Sequence, residues 1–186
     1  MKKWLAAVLS VFLLTGCFLQ KDNSAGIEAY EGYYKSITDN DRFQADSKYY
    51  HISGEMTTLA DGTHRYYIFL DEAQIAMYEV VLMAIRKDVE FEQNSEMMPS
   101  IGVFEGTDYS LIPYQSRIDK GFVKGLVLSG ECMEDSIDIE MLVEWRDKNR
   151  ESAHREYLSF TLNSEGISSD NAGTEAAQQQ ESLTHE

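Results

Sequence analysis

The chain has 186 residues, of which 32 are acidic and 16 are basic, and its formal net charge is −16 at pH 7. Nucleic acid and anionic lipid headgroups repel a surface of that sign. The composition therefore argues against a nucleic-acid-binding protein and against a domain that lies on a bilayer without an anchor.

The N-terminal segment has the parts of an export signal. Two lysines precede an apolar run at 4–14, which is shorter than the roughly 17–25 residues that a membrane-spanning helix needs. The run ends in the four residues LTGC, of which Cys17 is the last. This segment resembles the lipobox of bacterial lipoprotein precursors, and the resemblance covers residues 1–17 only. It implies a diacylglycerol on the Cys17 sulfur and cleavage after Gly16, so that residues 1–16 are a signal peptide.

A lipid at Cys17 would give the acidic protein its membrane attachment. Removal of the signal peptide takes away two basic residues and no acidic ones, which leaves about −18. Each buried CH₂ contributes about 0.8 kcal/mol, and two acyl chains are sufficient for stable anchoring. Cys132 then has no intramolecular partner, and we expect it to be a small buried side chain, because the neighbouring Glu131 and Glu134 oppose a reactive thiolate.

Composition divides the mature chain into three parts. Residues 17–26 are mostly polar or small and are predicted to be a lipid-anchored tether. Residues 27–162 carry the apolar periodicity of a single globular domain of ordinary size. Residues 163–186 lack aromatic residues and apolar periodicity, and we predict a disordered polar tail there.

The periodicity of the middle part predicts a mainly β protein with a short N-terminal helix. Ile27, Tyr30, Tyr34 and Ile37 recur at the spacing of one helix face. Residues 137–145 instead alternate apolar side chains with mostly acidic ones, which is typical of a strand in an antiparallel sheet with one wet face.

The neighbouring segments also read as strands. Residues 121–130 precede the alternating segment and residues 154–162 follow it, and the short turns between such segments indicate a meander. The expected fold class is therefore an antiparallel sheet or a β-sandwich.

A hairpin is predicted where Asp61-Gly62 separates two β-rich segments. As a two-residue loop, this turn places Gly54 opposite Phe69 and Met56 opposite Tyr67. Tyr66 then points to the more polar face of the sheet.

Residues 72–88 allow two interpretations. Asp71 fits a helix N-cap, and apolar residues from Ile75 onward recur at helical spacing, whereas residues 80–85 fit a buried strand equally well. We favour a central strand with a helical approach, because the neighbouring segments are strand-like. An α+β fold with a helix at about 72–88 is the alternative.

No motif of a known catalytic or metal site is present. The four histidines lack metal-ligand spacing, and paired carboxylates carry little information in a chain with 32 acidic residues. We predict no catalytic residue, no metal site and no cofactor, and the sequence favours a protein that is not an enzyme.

Tyrosines are the candidates for a binding surface. Neighbouring residues of a strand point to opposite faces, so one tyrosine of each adjacent pair is expected outside the core. The candidates are Tyr50 and Tyr66 on strands, and Tyr109 and Tyr114 on a loop. Exposed tyrosines are rigid and amphipathic, which suits recognition.

The leading hypothesis is a non-enzymatic lipoprotein, tethered to the membrane through Cys17 and facing outside the cytoplasm. Its partner would be a membrane-proximal protein, and its role that of an accessory factor of an envelope complex or an immunity-type protein. Binding of glycan or cell wall through tyrosine platforms is the alternative. A hydrolase with an unrecognised site is a third hypothesis.

Overall fold

The computed structural model describes residues 24–87, 89 and 97–168. The predicted fold class is confirmed, since one helix is followed by strands that pair antiparallel. The elements are α1 (Ser24–Thr38), β1 (His51–Thr58), β2 (His64–Asp71), β3 (Tyr78–Arg86), β4 (Ser100–Ile101), β5 (Leu126–Cys132), β6 (Ser136–Arg146), β7 (Ala153–Asn163) and β8 (Gly166–Ser168). The alternative helix at 72–88 is wrong, because β3 occupies most of that segment and the residues before it form an irregular bend.

The strands form two sheets that share one core. The small sheet has the order β1-β2-β5, and the large sheet has the order β4-β3-β6-β7-β8. Leu70 and Leu128 of the small sheet belong to the same buried cluster as Met141 and Phe160 of the large sheet. The two sheets therefore pack face to face as a sandwich. β2 and most of β7 bury alternate side chains, whereas β3 is buried on both faces from Val80 to Ile85.

The predicted meander is correct for β6 and β7 but wrong for β5. β6 and β7 pair along their full length, from Ser136 opposite Asn163 to Arg146 opposite Ala153. β5 precedes β6 in sequence, yet it pairs with β2 in the other sheet. The chain crosses from one sheet to the other between Cys132 and Ser136.

The second face of the large sheet is covered rather than wet. Tyr30 and Ile37 of α1 form a separate buried cluster with Met83, Ile85 and Leu142 on this face. An amphipathic helix must bury its apolar stripe, and the outer side of the large sheet receives it.

The hairpin register differs by one residue from the predicted one. Gly54 pairs with Ile68 and Met56 pairs with Tyr66. The loop has three residues, because Leu59 N–H donates to Thr63 O at 2.7 Å, and its last residue, Gly62, has a φ of +88°. A three-residue loop that ends in a left-handed glycine is a common hairpin connection. Because the loop is one residue longer than predicted, each side chain of β2 points to the opposite face of the sheet from the predicted one.

The folded part extends beyond both predicted boundaries. α1 begins at Ser24, inside the predicted tether, and β8 pairs with β7 beyond residue 162. Ile167 of β8 packs against the core, where the predicted tail had already begun. Cys17, the signal peptide and the rest of the tether and tail lie outside the described residues. In the described part, no helix has the length and apolar character that crossing a membrane requires.

Candidate functional site

The four candidate tyrosines have different environments. The expectation that Tyr50 and Tyr66 lie outside the core is wrong, since only 3% and 2% of their surfaces are exposed. Tyr109 is half-buried and packs against the core, whereas Tyr114 is fully exposed. Tyr66 is inside because of the hairpin register, which turns Tyr67 outward in its place.

Tyr50 belongs to an aromatic cluster at one end of the core. Its ring meets the edge of Trp145 at a centroid distance of 6.1 Å, and Tyr49 meets the same indole at 5.7 Å. Burial, and secondarily the nearby Glu156 carboxylate, raises the pKa of Tyr50 above its ordinary value. Neither the Tyr50 hydroxyl nor Glu156 Oε2 makes a hydrogen bond within the described residues. Tyr50 therefore serves packing and is not available to a partner.

The outer face of the small sheet carries the aromatic residues that sequence reasoning missed. Tyr67 and Phe69 of β2 point away from the core, and their rings stack at a centroid distance of 6.3 Å with 27° between their planes. Phe69 lies between Ser53 and Val127, and 46% of the Val127 surface is exposed. Both rings are therefore partly exposed to solvent.

The rim of this face is polar. Tyr67 lies between Glu55 and Ser129, and the guanidinium of Arg65 donates to Glu131 at 3.1 Å. A shallow depression of about 360 Å³ lies beside Tyr67, lined also by Arg65, Ser129 and Glu131. In the part of the chain that is described, α1 packs on the large sheet, and no helix covers this face.

A second candidate is the open groove beside Tyr114, with a volume of about 530 Å³. The bend at 72–74 forms one side of the groove, and the loop at 111–116 forms the other. Tyr114 stands in a turn closed by Gln115 N–H donating to Ile112 O at 3.0 Å.

The backbone of this groove is strained at two non-glycine residues. The φ of Tyr114 is +62°, and the φ of Glu72 is +47°. Pro113 precedes Tyr114 at the second position of the turn, and glycine or asparagine is normally found at the third. A tyrosine in the left-handed region costs roughly 1–2 kcal/mol. Strain of this kind at an exposed side chain is typical of binding sites.

One group of residues, His64, Cys132 and Asp135, has the side chains that a hydrolase site would need. His64 lies directly opposite Cys132, and Asp135 Oδ1 is 3.0 Å from His64 Nε2. Cysteine, histidine and aspartate are the residues of a nucleophilic triad. Sequence reasoning missed the proximity of His64 and Cys132 because it did not pair β5 with β2.

The geometry of these residues does not support catalysis. Both ring nitrogens of His64 are engaged, since Nδ1 lies 3.2 Å from Thr58 Oγ1. The thiol of Cys132 donates to Glu134 O at 3.5 Å, and burial raises the pKa of this thiol. A cysteine nucleophile needs a lowered pKa and a free base beside it. Cys132 is buried and unpaired, in the environment expected of a packing residue.

A metal site is not formed by the described residues. No three His, Cys, Asp or Glu side chains among residues 24–87, 89 and 97–168 are grouped so that they could hold an ion.

Comparison with known proteins adds no assignment. No protein-family model matches the chain, and neither does any curated protein or any solved structure. The outer face of the small sheet and the groove beside Tyr114 are therefore the candidate functional sites.

Proposed function

We propose that this protein is a lipoprotein, anchored outside the cytoplasm through Cys17, that recognises a membrane-proximal protein without catalysing a reaction. The observation that carries the recognition role is the stacked pair Tyr67 and Phe69 on the outer face of the small sheet. Tyr67 and Phe69 thus replace Tyr50 and Tyr66, which the sequence analysis proposed as the binding residues on strands.

The composition of this face supports a protein partner. Protein interfaces have an aromatic centre that excludes water and a polar rim that contributes little energy. Here the two rings occupy the central strand, while Glu55, Arg65 and Glu131 lie toward the rim. Three strands of seven or eight residues give this face dimensions of roughly 27 by 14 Å. It would therefore supply the centre of an interface, to which each partner contributes roughly 800 Å² in standard cases.

The depression beside Tyr67 gives the face a means of selecting its partner. Its lining includes the basic side chain of Arg65, the acidic side chain of Glu131 and the hydroxyl of Ser129. A polar side chain of the partner would find both a donor and an acceptor there, while the neighbouring rings contact apolar surface. A protein without a matching polar side chain would leave polar groups unpaired in the complex, and the cost of this would disfavour its binding.

Glycan binding is the second candidate, because a partly exposed ring beside polar side chains also accepts the flat face of a sugar. Both candidates use Tyr67, and the partner class separates them. Binding of isolated wall polysaccharide that is lost in Tyr67→Ser would favour the glycan.

The decisive experiment places a photo-crosslinking phenylalanine derivative at position 67 of the full chain in cells that process it. Position 27 is the control, because Ile27 is an exposed apolar side chain on α1, which packs on the large sheet and not on this face. We expect a discrete covalent adduct with one protein from position 67 and none from position 27. Adducts of equal yield at both positions, or none at either, would contradict the recognition role.

The anchor has its own test. Mass spectrometry of the mature N-terminal peptide is expected to find Cys17 as the first residue and carrying the diacylglycerol. An unmodified thiol, or a precursor that keeps residues 1–16, would refute the proposed attachment and leave the crosslinking result to stand by itself.

A further inference from the structure

The loop at 111–124 is basic within an acidic chain. It contains the basic residues Arg117, Lys120 and Lys124 and only one acidic residue, Asp119, whereas the whole chain carries −16. Arg117 pairs with Asp119 at 3.1 Å. Lys120 and Lys124 have no carboxylate within ion-pair distance among the described residues, so their charges are available.

The same loop presents the two most exposed large hydrophobic side chains of the described chain. Tyr114 is fully exposed, and 82% of the surface of Ile118 is exposed. The backbone fixes the exposed position of Ile118, because Arg117 and Phe122 exchange two hydrogen bonds of 2.9 and 3.0 Å across the base of the segment that contains it. Between them, Ile118 begins a single 3₁₀ turn that ends at Lys120.

We propose that this loop is a second membrane contact, in which Tyr114 and Ile118 enter the interface of an anionic bilayer and the basic side chains approach its headgroups. Tyrosine is favoured at the level of the headgroups, and apolar side chains next to Lys and Arg are the combination by which peripheral segments bind there. The inference rests on the proposed anchor at Cys17 only in so far as the anchor keeps the loop near lipid.

The charge of the loop explains how an acidic domain can approach such a surface. Exposed charges are screened beyond about 8 Å at physiological ionic strength. Glu72 lines the groove beside Tyr114, and the Asp108 backbone lies against Gly121, so these two acidic residues offset part of the loop's charge. Acidic residues farther from the loop than this screening distance exert little repulsion once the loop points to the bilayer. The loop would orient the domain so that its acidic bulk faces away from the membrane.

A protein partner for the loop is the competing occupant. Exposed apolar side chains fit either occupant. Lys120 and Lys124 beside them, which have no ion-pair partner among the described residues, match an anionic surface, and an anchored domain is always close to one. The backbone strain at Tyr114 agrees with both occupants and does not decide between them.

The test is fluorescence quenching in the full chain bound to vesicles. Tyr114→Trp is compared with Met133→Trp, because both positions are exposed. Tyr114 shares a groove with Lys124, just before β5, whereas Met133 follows the other end of that seven-residue strand, which is about 23 Å long. Trp145 is buried and serves as the internal reference. The vesicles contain brominated phosphatidylcholine with or without phosphatidylglycerol.

We expect strong quenching at position 114 and little at position 133. Phosphatidylglycerol should increase the quenching at position 114, and high salt should reverse that increase. Adding Lys120→Gln and Lys124→Gln to Tyr114→Trp should weaken the contact by roughly tenfold or more. Unchanged thermal unfolding of each variant establishes that the fold is intact.

Three outcomes would overturn the proposal. The first is equal quenching at positions 114 and 133, and the second is quenching at position 114 that does not depend on lipid charge or salt. The third is shielding of the tryptophan at position 114 from solvent only when membrane proteins are present. The last outcome would assign the loop to a protein. The intact mass of the same preparation reports the lipid on Cys17 independently, so failure of the anchor and failure of the loop contact are distinguished.

Discussion

The ring of Tyr66 lies across Gly130, its Cα partner on the neighbouring strand β5. A methyl group at Gly130 would overlap the Tyr66 hydroxyl and the ring carbon that bears it. The absence of a side chain at Gly130 therefore makes room for a large aromatic between the two sheets. An aromatic ring that covers a strand glycine also protects the bare backbone there.

Gly130→Ala is predicted to lower the free energy of unfolding by about 1–3 kcal/mol, because the added methyl group overpacks the core. Gly32→Ala is the matched control on α1, where an added methyl group meets no atom within 4 Å. There the same change is expected to raise the free energy of unfolding by up to about 1 kcal/mol through helix propensity. Urea unfolding measures both, and a loss of similar size in the two variants would contradict the packing argument.

Alkaline pH is predicted to destabilise the fold through buried tyrosines. Burial raises the pKa of Tyr66 from 10.0 to about 12, and burial followed by Glu144 raises that of Tyr33 to the same level. Between pH 10 and 12 the native protein keeps protons that the unfolded chain has lost, so the free energy of unfolding falls as pH rises. The stabilisation is fully present below pH 10.

Tyr66→Phe tests that pH dependence. The variant should lose less stability between pH 10 and 12 than the parent, by roughly 3 kcal/mol for a pKa difference of this size. Tyr33 is unchanged in the variant, so some dependence should remain. Identical slopes of unfolding free energy against pH in the two proteins would show that Tyr66 does not titrate with a raised pKa.

Two Tyr→Phe substitutions are predicted to differ in their effect on stability. At Tyr30 the hydroxyl accepts a hydrogen bond of 2.6 Å from Met98 N–H, so its removal should cost about 1–2 kcal/mol. At Tyr50 the buried hydroxyl makes no hydrogen bond within the described residues, so Tyr50→Phe should leave the unfolding free energy unchanged or raise it. A larger loss at position 50 than at position 30 in thermal unfolding would contradict this reading of the core.

Tyr114→Asn is predicted to preserve or raise the stability of the fold. Asparagine tolerates the left-handed backbone at this position better than tyrosine, and the tyrosine side chain contributes no burial. The same variant should lose the proposed membrane contact. Differential scanning calorimetry measures the stability, and a clear decrease of the melting temperature would show that the tyrosine has a structural role after all.

Local patterns in the sequence were sufficient for several elements. Residues 137–145 alternate so regularly that β6 follows from periodicity alone, and Tyr30 with Ile37 identifies the buried side of α1. The burial of Trp145 also follows, because it continues the apolar face of the same strand. These predictions held because each depends on side chains a few residues apart.

The sequence by itself thus determined the fold class, the main strands and the buried side of the helix. Only the tertiary structure decided which tyrosine faces out, because one additional residue in the hairpin loop places Tyr66 inside and Tyr67 outside. It also decided that β5 joins β2, which brings Cys132 opposite His64. Strand register and sheet membership depend on contacts between segments far apart in the chain, and local periodicity carries no record of them.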